Sequence, residues 1–197
     1  MYDPSTISTS ISQVVNRLQL HFYDLQQVVG GDGIAVARML DEHEQRSLNV
    51  VVDEPLAAQL ALRTGNNPEC KRMLPETLYD LLSQVVGQKP LEITVYAIRN
   101  GQYHVMLLNR YTLNTVAIRI SDAILLSVVA DVPFYVEANL MNHQSTPFDR
   151  EASGVGLPIN TLDTPRLNAI LKKAISDEDY ELAAHVRDEL QTREGDK

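Results

Sequence analysis

Arg119 and Asp122 stand close together in Arg119-Ile120-Ser121-Asp122-Ala123, a guanidinium and a carboxylate at the mouth of a long apolar run. Phosphodiester hydrolysis uses such a pairing: a carboxylate to hold a divalent ion or take a proton from water, and a cation for the phosphate. Arg72 and Glu76 offer a second guanidinium and a second carboxylate. Asp122, Arg119, Glu76 and Arg72 form the candidate catalytic set, provided the four converge in one open cleft. A plainer role competes for the first pair, with Asp122 charging the positive end of a helix and Arg119 as its ion-pair partner.

Other chemistries find little support. His21, His43, His104, His143 and His185 show no HxH, HxxxH or HExxH spacing, so the sequence marks no zinc site. No Ser-His-Asp set is visible, and Ser121 reads as a helix cap rather than a nucleophile. Val29-Gly30-Gly31-Asp32-Gly33 lacks the GxGxxG spacing of a phosphate loop and reads as a hairpin turn. Cys70 is the single cysteine, which excludes an intrachain disulfide and any CxxC motif.

The elements that must position the candidate set follow from periodicity. Ser121 is expected to cap a buried helix through Ala123, Ile124, Leu125, Leu126, Val128, Val129 and Ala130, ended by Asp131-Val132-Pro133. Phe134-Tyr135-Val136 follows as a buried strand. Upstream, Leu18, Leu20 and Phe22 alternate with polar residues as a half-buried strand does. Residues 34–40 and 47–52 read as two further strands, making a β-meander. Pro55 opens a helix with Leu56, Ala57, Leu60 and Ala61 on its apolar face. A second helix starts near Pro75, with Leu78, Leu81, Leu82 and Val85 at i, i+3, i+4, i+7 as its core-facing stripe. Leu91, Ile93, Val95 and Ala97 alternate, Asn100-Gly101 is a strong hairpin signal, and Tyr103, Val105 and Leu107 return. The expected class is α+β: mostly antiparallel strands with two or three packed helices, followed by a C-terminal helical hairpin.

The hairpin is expected from Thr164 as cap, with Pro165 at the first position and Leu167, Ile170, Leu171 and Ala174 in one stripe. Ser176 with Asp179 suggests a capping box for a second helix lined by Tyr180, Ala183, Ala184 and Leu190. The division is a flexible N-terminus at 1–14, a main domain at 15–143, a linker at 144–163 and the hairpin at 164–197.

With 197 residues, 44% hydrophobic and 22% charged, the chain has an ordinary globular composition. A net charge of -9 argues against a broad sequence-independent nucleic-acid surface and against membrane-surface binding. No basic or long apolar leader and no run near ~20 apolar residues is visible, so a cytoplasmic protein without membrane contact is expected.

Two resemblances give these residues a context. The hairpin is similar to the UVR motif of the UvrB and UvrC repair proteins through Ala174, Ile175, Tyr180, Glu181, Ala183, Ala184, Arg187 and Asp188. That resemblance implies protein–protein contact through residues 164–197. From about Leu18 to Met141 the chain resembles the bacterial bifunctional nuclease domain, through R-x-S-D-A, the apolar helix and the Pro133-Phe134-Tyr135-Val136 strand. The family's R-P-L-T-H-D-L motif aligns with Arg72-Met73-Leu74-Pro75-Glu76-Thr77-Leu78, so its His and Asp are Glu76 and Thr77 here. Its pre-helix E-A aligns with Leu56-Ala57, which lacks the carboxylate, though Asp53 and Glu54 lie close by.

The resemblance implies hydrolysis of DNA or RNA phosphodiesters, with Mg²⁺ or Mn²⁺ as the ion although the sequence itself marks no metal site. It also implies nucleic acid as substrate. The hairpin is too small to close a core alone, so it is expected to pair with a second copy of the chain as a homodimer, with the main domain or with a partner. The alternative expectation is a weakly active or inactive dimeric scaffold working through the hairpin.

Overall fold

Strand β2 (Ala35–Asp41) shows how the sheet divides inside from outside. Ala35, Ala37 and Met39 enter the main apolar core, while Arg38 between them turns to the other face. In this computed structural model, which describes residues 16–27, 35–65, 67–86, 90–151 and 158–195, β2 pairs antiparallel with β1 (Arg17–Gln27) and β3 (Arg46–Val52). The three-strand meander is the one the alternation predicts. The glycine turn at 29–33 and the segment 1–14 lie outside the described residues.

A second set of strands completes one eight-stranded sheet. It comprises β4 (Leu91–Arg99), β5 (Gln102–Asn109), β6 (Thr115–Ile118), β7 (Phe134–Glu137) and β8 (Ser145–Pro147), in the order β6-β5-β4-β7-β1-β2-β3-β8. Every neighbouring pair is antiparallel except β4 with β7, where Ile93, Thr94 and Val95 run beside Phe134, Tyr135 and Val136. Asn100 and Gly101 both take positive φ, 51° and 77°, as a two-residue turn between β4 and β5 demands.

The helices are α1 (Glu54–Thr64), α2 (Leu74–Val86), α3 (Ile120–Ala130), α4 (Ala138–Gln144), and a C-terminal pair, α5 (Thr164–Ser176) and α6 (Tyr180–Gly195); α1, α3 and α4 pack against the sheet, α2 against α3, and α5 against α6. Mostly antiparallel strands with packed helices and that pair make the α+β class expected. Helix α3 supplies Ala123, Ile124 and Ala130 to the core, and Asp131 ends it in the left-handed conformation at φ 51°. Leu56 and Leu60 of α1, Ile93 and Val95 of β4, and Phe134 and Val136 of β7 fill the same core.

Several local expectations are corrected. The cap of α3 is Arg119, in extended backbone and without a side-chain bond to the helix's N–H groups, so Ser121 already lies inside the first turn and does not cap. The cap of α5 is Asp163, whose carboxylate accepts from the Arg166 N–H at 2.8 Å, not Thr164. Helix α5 runs through Ser176, and Asp179 caps α6 by accepting from the Leu182 N–H at 3.1 Å. Tyr180 is exposed rather than lining the hairpin; Val186, in the turn after Leu182, is the fully buried residue instead.

The largest correction concerns α2. Its apolar stripe was expected to face the core, yet Leu78, Leu81, Leu82 and Val85 are all exposed. The inward side is the polar one. Glu76 bonds Arg63 of α1, Tyr79 packs on the core, and Ser83 turns its hydroxyl inward. Periodicity locates an apolar face; it does not decide which way that face points.

Within 144–163, Ser145–Pro147 adds β8 beside β3, and Phe148 packs edge-on against Tyr23 with centroids 5.0 Å apart. Arg38 completes the clasp, donating to both Asp24 oxygens at 2.6 and 2.5 Å while its guanidinium lies over both rings. Ile159–Thr161 forms one 3-10 turn, and Leu162 is buried with Leu167 and Val186 against Val51 of β3. Arg193 of α6 fixes that turn by donating to the carbonyls of Leu162 and Asn160 at 2.7 and 3.0 Å.

Candidate functional site

Strand β6 delivers Arg119 to the start of α3, and one helical turn returns Asp122 to it. Nε and Nη2 of Arg119 donate to the two Asp122 oxygens at 2.7 and 3.0 Å, a bidentate pair at the surface, 78% and 44% exposed. The hydrogen bond to Asp122 raises the Arg119 pKa above its ordinary value, and the charges of Asp122 and then Asp53 add to the effect. Asp122 also sits in the first turn of α3, where the helix dipole favours negative charge.

Asp53 thus belongs to this neighbourhood. It caps α1 by accepting from the Leu56 N–H at 3.1 Å, and α1 packs against α3, so the two helix N-termini bring Asp53 into the field of Arg119. Sequence reasoning marked Asp53 only as a neighbour of a missing carboxylate. The signal that identifies it is its place as a capping Asp directly ahead of Glu54-Pro55.

The other half of the expected set is held elsewhere. Glu76 accepts from Nε and Nη2 of Arg63 at 2.8 and 2.9 Å, with the two side chains only 13% and 5% exposed. The same Arg63 donates to the Gln59 backbone and side-chain oxygens, each at 2.8 Å. Arg72 is exposed at the end of the 3-10 turn Pro68–Arg72 that leads into α2. Glu76 is committed to Arg63 and Asp122 to Arg119, so different cations hold the two carboxylates.

A divalent ion prefers several oxygen ligands. Both oxygens of Asp122 accept from Arg119, Asp53 caps α1, and among the described residues no group of three or more His, Cys, Asp or Glu is arranged to hold a metal. The donor set does not fit Mg²⁺ or Mn²⁺.

A cleft of about 420 Å³ opens between α4 and α6. Glu137, His143, Asn160, Glu189 and Arg193 line it, and a neighbouring hollow reaches His185 and Asp188. None of the four predicted site residues borders either hollow.

Among the described residues, no helix is long and apolar enough to cross a membrane. No curated protein matches the chain at a significant level. A family model described as the bifunctional nuclease domain matches residues 39–149, from Met39 in β2 to Asp149 just past β8, and so contains Arg72, Glu76, Arg119 and Asp122. That match spans more than half of the 197 residues, and the chain belongs to the bifunctional nuclease domain family.

Proposed function

We propose that this chain hydrolyses phosphodiester bonds of DNA or RNA at the start of α3. The observation that supports this is the exposed Arg119–Asp122 pair within the family-matched region, with Asp53 in its field. Arg119 swings from Asp122 onto the non-bridging oxygens of a phosphodiester. Asp122, released, takes a proton from a water whose oxygen bonds to phosphorus; the bond to the leaving sugar oxygen breaks, and that oxygen takes a proton from solvent. Arg72, exposed beside the N-terminus of α2, offers a further contact for the nucleic-acid backbone. In this reading residues 15–143 are the nuclease domain, the protein is a cytoplasmic homodimer, and the UVR-like hairpin at 164–197 contacts a protein partner.

The test is cleavage of end-labelled single- and double-stranded DNA and RNA by purified protein, in parallel with Mg²⁺, with Mn²⁺ and with a chelator. Cleavage in any arm that Arg119→Ala abolishes supports the site. Cleavage untouched by Arg119→Ala removes it.

A second reading has one observation in its favour. Glu76 is buried against Arg63, which takes one of the two predicted carboxylates out of reach of a substrate. With that carboxylate spent on structure, the chain acts as an inactive or weakly active dimeric scaffold. No cleavage in any arm, with a partner still bound through the hairpin, decides for it.

A further inference from the structure

Helix α2 is packed inside out. Leu74, Leu78, Leu81, Leu82 and Val85 are 69, 56, 60, 38 and 82% exposed, while Glu76, Tyr79 and Ser83 turn inward. The hydroxyls of Tyr79 and Ser83 are buried without a hydrogen-bond partner among the described residues. A helix free to choose would bury its leucines and expose these polar groups.

The exposed residues follow a particular spacing. Leu74, Leu78, Leu81 and Val85 are separated by four, three and four positions and so form one continuous seam along the helix, with Leu82 beside it. Thr77, Leu82 and Gln84 flank that seam, and none carries charge.

We propose that a second copy of this chain covers the stripe with its own α2, the two helices antiparallel, Leu78 of one copy against Leu81 of the other and Leu74 against Val85. This rests on the homodimer reading above and says where the copies meet. Three arguments select this occupant.

The five side chains expose on the order of 500 Å² of apolar surface, at the upper end of what the largest patch on a monomer shows. An isologous pair buries about twice that, on the order of the 1,000 Å² expected of a biological interface. The chain carries a net charge of -9, so two copies repel across most approaches, but seam and flanks here are uncharged. A membrane is the poorer fit, because surface-lying helices carry Lys and Arg on their polar face and α2 has neither.

The antiparallel sense follows from the helix ends. Lys71 and Arg72 precede α2 at its N-terminus, already the positive end of the dipole, so a parallel pair would place four cations together.

The test is sedimentation of the full chain across a micromolar concentration range, with and without Leu78→Glu plus Leu81→Glu, joined to cysteine oxidation in a Cys70→Ser background. The expected result is a wild-type dimer that the double substitution weakens by at least about 100-fold while circular dichroism stays unchanged. A disulfide is expected when Leu78→Cys and Leu81→Cys chains are mixed, and not when either is oxidised alone. A dimer unaffected by the double substitution overturns this interface but leaves the homodimer reading standing, with the exposed edge strand β6 as the next place to look. A wild-type monomer overturns both. Binding to anionic phosphatidylglycerol vesicles that the double substitution removes assigns the stripe to a membrane and overturns the interface.

Discussion

Arg63 and Glu76 lie on successive helices and hold each other through two hydrogen bonds of 2.8 and 2.9 Å. This pair decides two things at once. It turns the polar side of α2 inward, which leaves the leucine stripe outside, and it takes Glu76 out of the candidate catalytic set.

Replacing Glu76 by Ala leaves the Arg63 guanidinium nearly buried without its counter-charge. Gln59 still accepts from it, which offsets part of the cost. The expected loss is about 3 kcal/mol, toward the lower end of the range for breaking a buried pair. Urea unfolding followed by circular dichroism measures it, and a loss below about 1 kcal/mol would show that the pair does not hold α2 in place.

Tyr103 on β5 carries a pH prediction. Burial raises its phenol pKa above the ordinary value, and the nearby Thr161 hydroxyl offsets only part of the rise. The folded chain therefore holds this proton more tightly than the unfolded chain does. Its contribution to stability is complete below pH ~10, the unfolded value, and is lost as the pH climbs from there toward the raised folded value. Tyr103→Phe should flatten the alkaline limb of a stability-against-pH curve. At pH 7 it should cost less than about 1 kcal/mol, because the hydroxyl meets no partner with hydrogen-bond geometry.

Gly101 joins the β4–β5 turn to the C-terminal pair. Its φ is 77°, and a Cβ there would lie 3.0 Å from both the Leu162 carbonyl oxygen and the Arg193 guanidinium. Gly101→Ala should cost about 1–2 kcal/mol, from backbone strain and from loosening the Arg193 contacts. Thermal unfolding checks the size, and faster amide exchange in α6 would show that the strain reaches the helical pair.

Local chemistry was legible in the sequence where neighbours in the chain are neighbours in space. Asn100-Gly101 declared its turn because both residues tolerate positive φ, and Arg119 with Asp122 declared its pair because one helical turn joins them. The caps were misplaced by one to three residues, because hydroxyl and carboxyl residues crowd each helix start and the preceding chain selects which one stays extended. Strand β8 escaped notice because three residues show no period and its pairing with β3 spans about a hundred residues. The direction of α2 was illegible for a similar reason. Its amphipathic pattern is plain in the sequence, but the ion pair to Arg63 on another helix turns its polar side inward. Asp53 entered the site only once α1 and α3 were seen to pack together.

The proposed chemistry meets its most direct test in single-turnover cleavage of a labelled oligonucleotide by the parent chain, Asp122→Asn and Arg119→Gln. The expected result is detectable cleavage by the parent and losses of at least about 100-fold for both variants, the scale of a lost general base or charge stabiliser, with unfolding midpoints little changed. Parent cleavage that survives Asp122→Asn would contradict the assignment of that carboxylate. No cleavage by the parent on DNA or RNA, in any metal arm, would contradict the nuclease reading itself.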